Sequence, residues 1–568
     1  MTDFAAPPAA GVDGESESAG ERGPRGLRWL WRYGRGLHHA GVVGSVLFFV
    51  MSLMPSLLPR TWLVQGLASG ISVAFGYGIG TLIAWTARHV VPWRPNEQVC
   101  ALTRRVVWVL ALIVVPLALW FGSAWQNDIR RAVHYPTESR YLYLGVLLIA
   151  ALVAMALLGI SRGIRHLYRV VARWLRRWIP PLATRIVGVV LVTALVWGVL
   201  TGVVGNGLRA VVDELSSAAD HGTHASSVQP TSALRSGSPA SGVSWNSLGL
   251  EGRAFVSGGP TAAEITQLTG RPAVTPIRVY AGRESASSLS GEASLVLAEL
   301  KRTHAFDRAV VAIATSTGTG WIDPWEADPL EYMFGGNTAI ASIQYSYYPS
   351  WISFLIDRPR AEEAGRVLFD TVYKYWATLP PAHRARLVVF GESLGSFGGS
   401  SAFKNVDDLL ARTDGALFAG PPNTTTMWRD LTQSRHTGSL ERLPVVGDGR
   451  TVRFVANAEQ LREGGSLAHP HVVFLQHGSD PIVWWAPSLL WSEPDWLTEP
   501  RAPDVIAQTH WYPIVTFWQT TCDMIAAAAP PPGYGHNYGA EIVTAWQAIL
   551  HPPAWTDSDT KALAAHGI

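Results

Sequence analysis

The chain has 568 residues, 45 Lys+Arg against 43 Asp+Glu, 48% hydrophobic and only 15% charged residues, and 25 Trp, which excludes a largely disordered chain. Two Cys exclude a disulfide scaffold and a cysteine zinc site. The near-neutral balance hides a split, because residues 1–205 hold 20 Arg, no Lys and 8 acidic residues, a net charge of +12, and the remainder carries −10; this points to two parts in different surroundings and, with no basic face outside the apolar first part, to no nucleic-acid partner.

Residues 1–24, rich in Ala, Gly, Pro and acids, read as a disordered tail. A transmembrane domain is expected over 25–205. It contains five apolar stretches, 41–58, 63–85, 106–122, 141–160 and 186–204, none with Asp, Glu, Lys, Arg or His. Crossing the hydrocarbon takes roughly 20 apolar residues, so an α-helical bundle of about five spans is predicted. The segments before the first span, between the second and third, and between the fourth and fifth hold 16 Arg; the other two connections hold 4. Arginine-rich segments stay in the cytoplasm, so everything after about residue 205 is expected outside it, in a multi-pass cell-membrane protein. Charge-free spans argue for an anchor or a lipid-admitting groove over a transport path. Gly66, Gly70, Gly76, Gly78 and Gly80 suit close helix packing.

Residues 206–244 read as a linker, with 215–244 dominated by Ser, Ala, Gly and Thr as a flexible tether. From 245 to 568 short β-branched runs alternate with amphipathic stretches. Strands are predicted at 276–280, 309–315, 339–345, 386–390, 416–419 and 472–475. Helices are predicted at 289–303, 360–376 and 397–412, with a last one at about 540–550. This alternation implies a mostly parallel sheet covered on both faces.

The chemistry centres on Gly391-Glu-Ser393-Leu-Gly395, a G-x-S-x-G placed between an apolar strand and a helix of small residues. A serine on a strained strand-to-helix turn needs glycine neighbours so that backbone can approach, which makes Ser393 the candidate nucleophile. The near-match Gly464-Gly-Ser466-Leu-Ala468 lacks a preceding strand and reads as loop. A serine hydroxyl needs a base, and the base an orienting acid. Where a G-x-S-x-G forms such a nucleophile turn, the chain order is nucleophile, acid, histidine. Asp480 ends the strand segment 472–475 through Gly478, and Asp495 is its rival without a strand before it. His536 stands in the glycine-flanked loop Pro532-Gly-Tyr-Gly-His536-Asn-Tyr-Gly539 before the last helix; His510, His551 and His566 are rivals, and His477 precedes the acid and reads as structural. The oxyanion hole is expected from the amide of Leu394 and from the 315–321 loop, at Thr317 or Gly318. No cofactor and no metal are needed.

With Pro55-Ser-Leu-Leu-Pro-Arg60, Pro276-Ile-Arg-Val-Tyr280, Thr317-Gly-Thr-Gly-Trp-Ile-Asp-Pro324, Gly391-Glu-Ser-Leu-Gly-Ser396 and Gly420-Pro-Pro-Asn423, the chain resembles the bacterial membrane-bound α/β-hydrolase family common in actinobacteria. The resemblance implies an α/β-hydrolase domain behind a multi-span domain, with a serine hydrolase site at Ser393. The leading expectation is a membrane-anchored serine hydrolase of the esterase or lipase kind. The alternatives are an acyltransferase acting on an envelope lipid or sugar, which uses the same residues, and a non-catalytic membrane protein on a hydrolase scaffold. A lipid or other acyl ester is the expected substrate. The segment 482–497, with Trp484, Trp485, Trp491 and Trp496 directly after the acid, is expected either to line an acyl pocket or to pack as core.

Overall fold

The computed structural model describes residues 38–90, 97–463 and 465–568. The expected tail at 1–24, the five arginines that precede residue 37, Arg94 and Gly464 lie outside the described residues. The first part is a bundle of apolar helices, α1 His39–Ser52, α2 Trp62–Val90, α3 Glu97–Ala132, α4 Leu144–Leu175 and α5 Pro181–Gly198. Among the described residues, four helices are long and apolar enough to cross a membrane, and α1, at 14 residues, is a shorter apolar helix. The first expected span is therefore corrected at its end. The chain leaves the helix after Ser52, and residues 53–60 turn back against the second part. Pro55 and Pro59 cannot continue a helical ladder. Leu53, Leu57 and Leu58, apolar as any span residue, are buried in protein.

Small residues let the bundle close. A Cβ on Gly44 would lie 2.1 Å from the Gly76 carbonyl oxygen, and one on Gly76 2.3 Å from that of Gly44, so α1 and α2 pack backbone to backbone. The expected tether is also corrected. Helix α5 runs through the π-helical stretch Val199–Gly205 into α6 Asn206–Asp220. Beyond it the chain lies along the sheet edge, where Ser236 N donates to Arg278 O and Arg278 N to Leu234 O. Arg235, Ser236, Ser238 and Val243 are buried. The small side chains that read as flexibility serve close packing instead.

The second part is built on seven parallel strands, β1 Ile277–Ala281, β2 Val310–Ala314, β3 Thr338–Ile343, β4 Arg386–Glu392, β5 Gly415–Ala419, β6 Val452–Val455 and, after the two-stranded hairpin β7 Arg462–Glu463 and β8 Ser466–Leu467, β9 Val472–Leu475. Their order is β1-β3-β2-β4-β5-β9-β6. Nearly every strand residue is buried, as expected when helices cover both faces. Val279, Ile313, Leu387 and Val389 face one core, and Tyr280, Ala312, Val388 and Phe390 the other. The helix expected over 397–412 is two helices, Leu394–Ser400 and Val406–Arg412, and the helix Asp557–His566 follows the one expected to be last. Of the near-match at 464–468, read as loop, Ser466 and Leu467 form the short strand β8.

The α/β domain is docked directly on the bundle. It meets the end formed by the α1–α2 and α3–α4 connections, which is the arginine-poor end. Arg60 Nε lies 2.6 Å from Asp523 Oδ1 at the end of the helix Val515–Asp523, with both side chains buried. Arg60 also donates to Gln65 Oε1 (2.7 Å) and to Ser56 Oγ. Asp523 Oδ2 accepts from the amides of Leu57 and Leu58, and Gln519 Nε2 donates to Met54 O at 2.8 Å. Removing one partner of such a buried pair costs about 3–5 kcal/mol.

Candidate active site

Strand β4 ends at Glu392, and the next residue, Ser393, has φ 57° and ψ −120° and leads into the helix Leu394–Ser400. A non-glycine residue in this region stores of order 1–3 kcal/mol of strain. The surroundings hold it there: Ser393 N donates to Ala419 O at 2.9 Å. A Cβ on Gly395 would lie 2.2 Å from Thr315 O, and one on Gly391 2.5 Å from the Gly395 carbonyl carbon. Only glycine at both positions lets the turn close this tightly, which is the physical content of the G-x-S-x-G spacing.

Asp480 and His536 meet beside this turn. His536 Nδ1 lies 2.7 Å from Asp480 Oδ2. The carboxylate only accepts, so Nδ1 carries a proton, which in the neutral imidazole leaves Nε2 its lone pair. Asp480 is wholly buried, and its other bonds come from Tyr538 OH (2.6 Å) and Ile482 N (2.8 Å). His536 Nε2 is buried without a hydrogen-bond partner, Ser393 Oγ included, and lies 3.6 Å from Glu392 Oε1, on the residue before the serine. The ring lies against Gly420, where a Cβ would come within 2.3 Å of Cε1. The histidine loop is fastened from below: Gly535 N donates to Ser479 Oγ (2.9 Å), His477 Nδ1 donates to Gly535 O (2.8 Å), and His536 N donates to Ala527 O (2.8 Å).

Of the expected oxyanion donors, Leu394 occupies the first position of its helix, where an amide has no intrahelical acceptor. Thr317 is corrected, since its amide is spent on Trp321 O at 2.9 Å, whereas the amides of Ser316 and Gly318 make no backbone hydrogen bond. The loop is held by Tyr280 OH, which donates to Gly320 O (2.8 Å), and by Gln344 Nε2, which donates to Thr319 O (3.0 Å) and to Asp220 Oδ1 (2.8 Å). It leads straight into a helix, Pro324–Met333, capped by Asp323. Arg278 ties that helix to β1 through Glu331 at 2.8 Å and through Asp328. Tyr280 and Arg278 thus explain the Pro276–Tyr280 motif.

Behind the serine lie three buried carboxyls, Glu392, Asp323 and Glu326. Burial, then the neighbouring Asp323 and Glu326, push Glu392 well above the usual carboxylate range. Burial likewise raises Asp323, which shares a hydrogen bond with Glu392, and Glu326. In all three, burial disfavours the charged form.

The rivals lie elsewhere. Asp495 is exposed and paired with Arg435 at 2.6 Å, His510 and His566 are exposed, and His551 contacts His469. Sequence reasoning missed Tyr538, Gly420 as the seat of the imidazole, and the carboxyl cluster. Tyr538 has no signal beyond standing two residues after His536. For Gly420 the signal was present, a glycine directly after a strand. The tryptophans divide: Trp484 is core, buried and donating to His477 O at 2.9 Å, whereas Trp491 is 68% exposed. Among the described residues no group of acids, His and Cys could hold a metal ion.

A seven-stranded parallel sheet with a strained serine at the end of its middle strand, joined to apolar helices of membrane-spanning length, defines a membrane-associated protein with an α/β-hydrolase fold. The chain belongs to an α/β-hydrolase family: the family's own domain matches residues 277–563 and the domain described as that family's N-terminus matches residues 53–260. No curated protein and no solved structure matches the chain.

Proposed function

We propose that the protein is a serine hydrolase that cleaves a lipidic carboxylic ester outside the cytoplasm. The observation that carries this reading is the unbonded, buried Nε2 of His536, whose other nitrogen is tied to Asp480, beside the strained Ser393. Ser393 Oγ attacks the acyl carbonyl while His536 Nε2 takes its proton, and Asp480 stabilises the imidazolium. The amides of Leu394 and Gly318 receive the oxyanion. The imidazolium returns its proton to the leaving alkoxide, an acyl-serine remains, and water activated by the same nitrogen releases the acid.

The lipidic character is supported by the direct docking of the domain on the bundle. It is also supported by an aromatic file, with successive ring centroids 5.1–6.2 Å apart, from Phe354 through Trp485, Phe517 and Trp518 to Phe75 on α2. Its two tryptophans, with an apolar body and a polar N–H edge, suit the membrane interface. Docking at the arginine-poor end supports the outward orientation.

The test is labelling by a fluorophosphonate together with ester cleavage in detergent-solubilised full-length protein. Ser393→Ala is expected to abolish labelling and, like His536→Ala, to lower kcat by roughly 10⁴-fold or more. Trp485→Ala is expected to weaken long-chain esters more than short ones. Labelling retained in Ser393→Ala overturns the site; equal losses at both chain lengths overturn the lipid assignment.

A further inference from the structure

We infer that the membrane domain is a working part of the active site: Leu58, on the loop between α1 and α2, is a positioning residue for both the acid and the histidine. The inference rests on the proposed roles of Ser393, Asp480 and His536.

Leu58 is wholly buried, together with Val133 at the end of α3 and Ala527 of the α/β domain. Ile482, Tyr534 and Tyr135 pack against this cluster. Two of its members adjoin the chemistry. Ile482 N donates to Asp480 Oδ1, and Ala527 O accepts from His536 N. A Cβ on Gly535, next to the histidine, would lie 2.7 Å from Ala527 O and 3.4 Å from Leu58 Cδ2. One leucine of the membrane domain therefore lies between the loop that carries the acid and the loop that carries the base. A second bundle connection closes the contact from the other side, where the rings of His134 and Tyr534 lie 5.0 Å apart.

The leucine is not free to drift. The amides of Leu57 and Leu58 donate to Asp523 Oδ2, whose other oxygen meets Arg60 Nε. Arg60 N donates to Gln126 Oε1 of α3 at 2.8 Å. Leu57 enters the core of the α/β domain itself. These bonds fix the loop against the bundle and the α/β domain at once, so the depth of Leu58 is set by the folded bundle. A cavity in its place would let the Ala527–His536 loop relax toward the membrane domain. Reacting groups displaced by about 1 Å lose roughly 10²-fold in rate.

The experiment compares full-length Leu58→Ala and Leu58→Met with wild type in detergent, by fluorophosphonate labelling rate, kcat, KM and melting temperature. Leu58→Ala is expected to lose 10- to 100-fold in labelling rate and kcat at nearly unchanged KM, Leu58→Met to recover most of it, and Val133→Ala, on the opposite side of the same contact, to reproduce the loss. Should Leu58→Ala fail to fold, Val133→Ala decides. Wild-type labelling rates in both alanine variants would overturn the inference, and so would a loss in which melting temperature falls and kcat per labelled serine does not. Failure of the proposed site is separable, because it appears as labelling that survives Ser393→Ala.

Discussion

Gly420 sets how closely the imidazole of His536 can approach the end of β5. It has φ +54°, and the ring lies where a Cβ would be. Gly420→Ala therefore meets two obstacles at once, a left-handed backbone and a contact of 2.3 Å. The expected outcome is a displaced imidazole and a kcat lower by roughly 10²-fold, measured against active sites counted by fluorophosphonate; an undiminished kcat would contradict the geometry. At this scale the serine was legible in the sequence, because the strain at Ser393 forces a local pattern of glycines. Tyr538 was not, because its hydroxyl reaches Asp480 only after the chain has folded across 58 positions. Trp484 was ambiguous for a related reason: a large aromatic near an acid in sequence says nothing of which face of the sheet it fills.

Elements were most legible where both ends carried a signal. The buried strands of the sheet stood out as β-branched runs. Strand β6 did not, since Val452–Val455 is four residues with an arginine inside. The segment 53–60 misled because apolar composition is the same whether it faces lipid or protein, and the small residues of 215–244 misled because close packing and flexibility use the same alphabet. The histidine loop has a titratable fastening of its own. Burial alone would lower His477, but Glu541 through its hydrogen bond and charge, the Gly535 carbonyl and Asp504 raise it above the ordinary histidine value. A folded value above the unfolded one stabilises fully below about 6.5 and is lost as pH rises through the folded value. The melting-temperature gap between wild type and His477→Gln should thus be widest in mild acid and shrink toward alkaline pH; a gap independent of pH would rule out the charged pair with Glu541.

For the molecule as a whole, charge and contact agree. Among the described residues, the arginines of the bundle concentrate at one end, and the α/β domain sits on the other. A fluorescent protein that matures only in the cytoplasm, fused after Ile568, should stay dark, and alkaline phosphatase at the same position should be active. The reverse pair of results would place the hydrolase domain in the cytoplasm.

The helix that begins at Pro181 continues through Val199–Gly205 to Asp220, whose carboxylate meets Gln344 and through it the Thr319 carbonyl. At 1.5 Å per residue the rod is roughly 60 Å long. Spanning helices tilt to match the thickness of the hydrocarbon around them. Because the last residue of the rod is hydrogen-bonded through Gln344 to the 315–321 loop, a change of tilt in the membrane half of this helix would be carried to that loop.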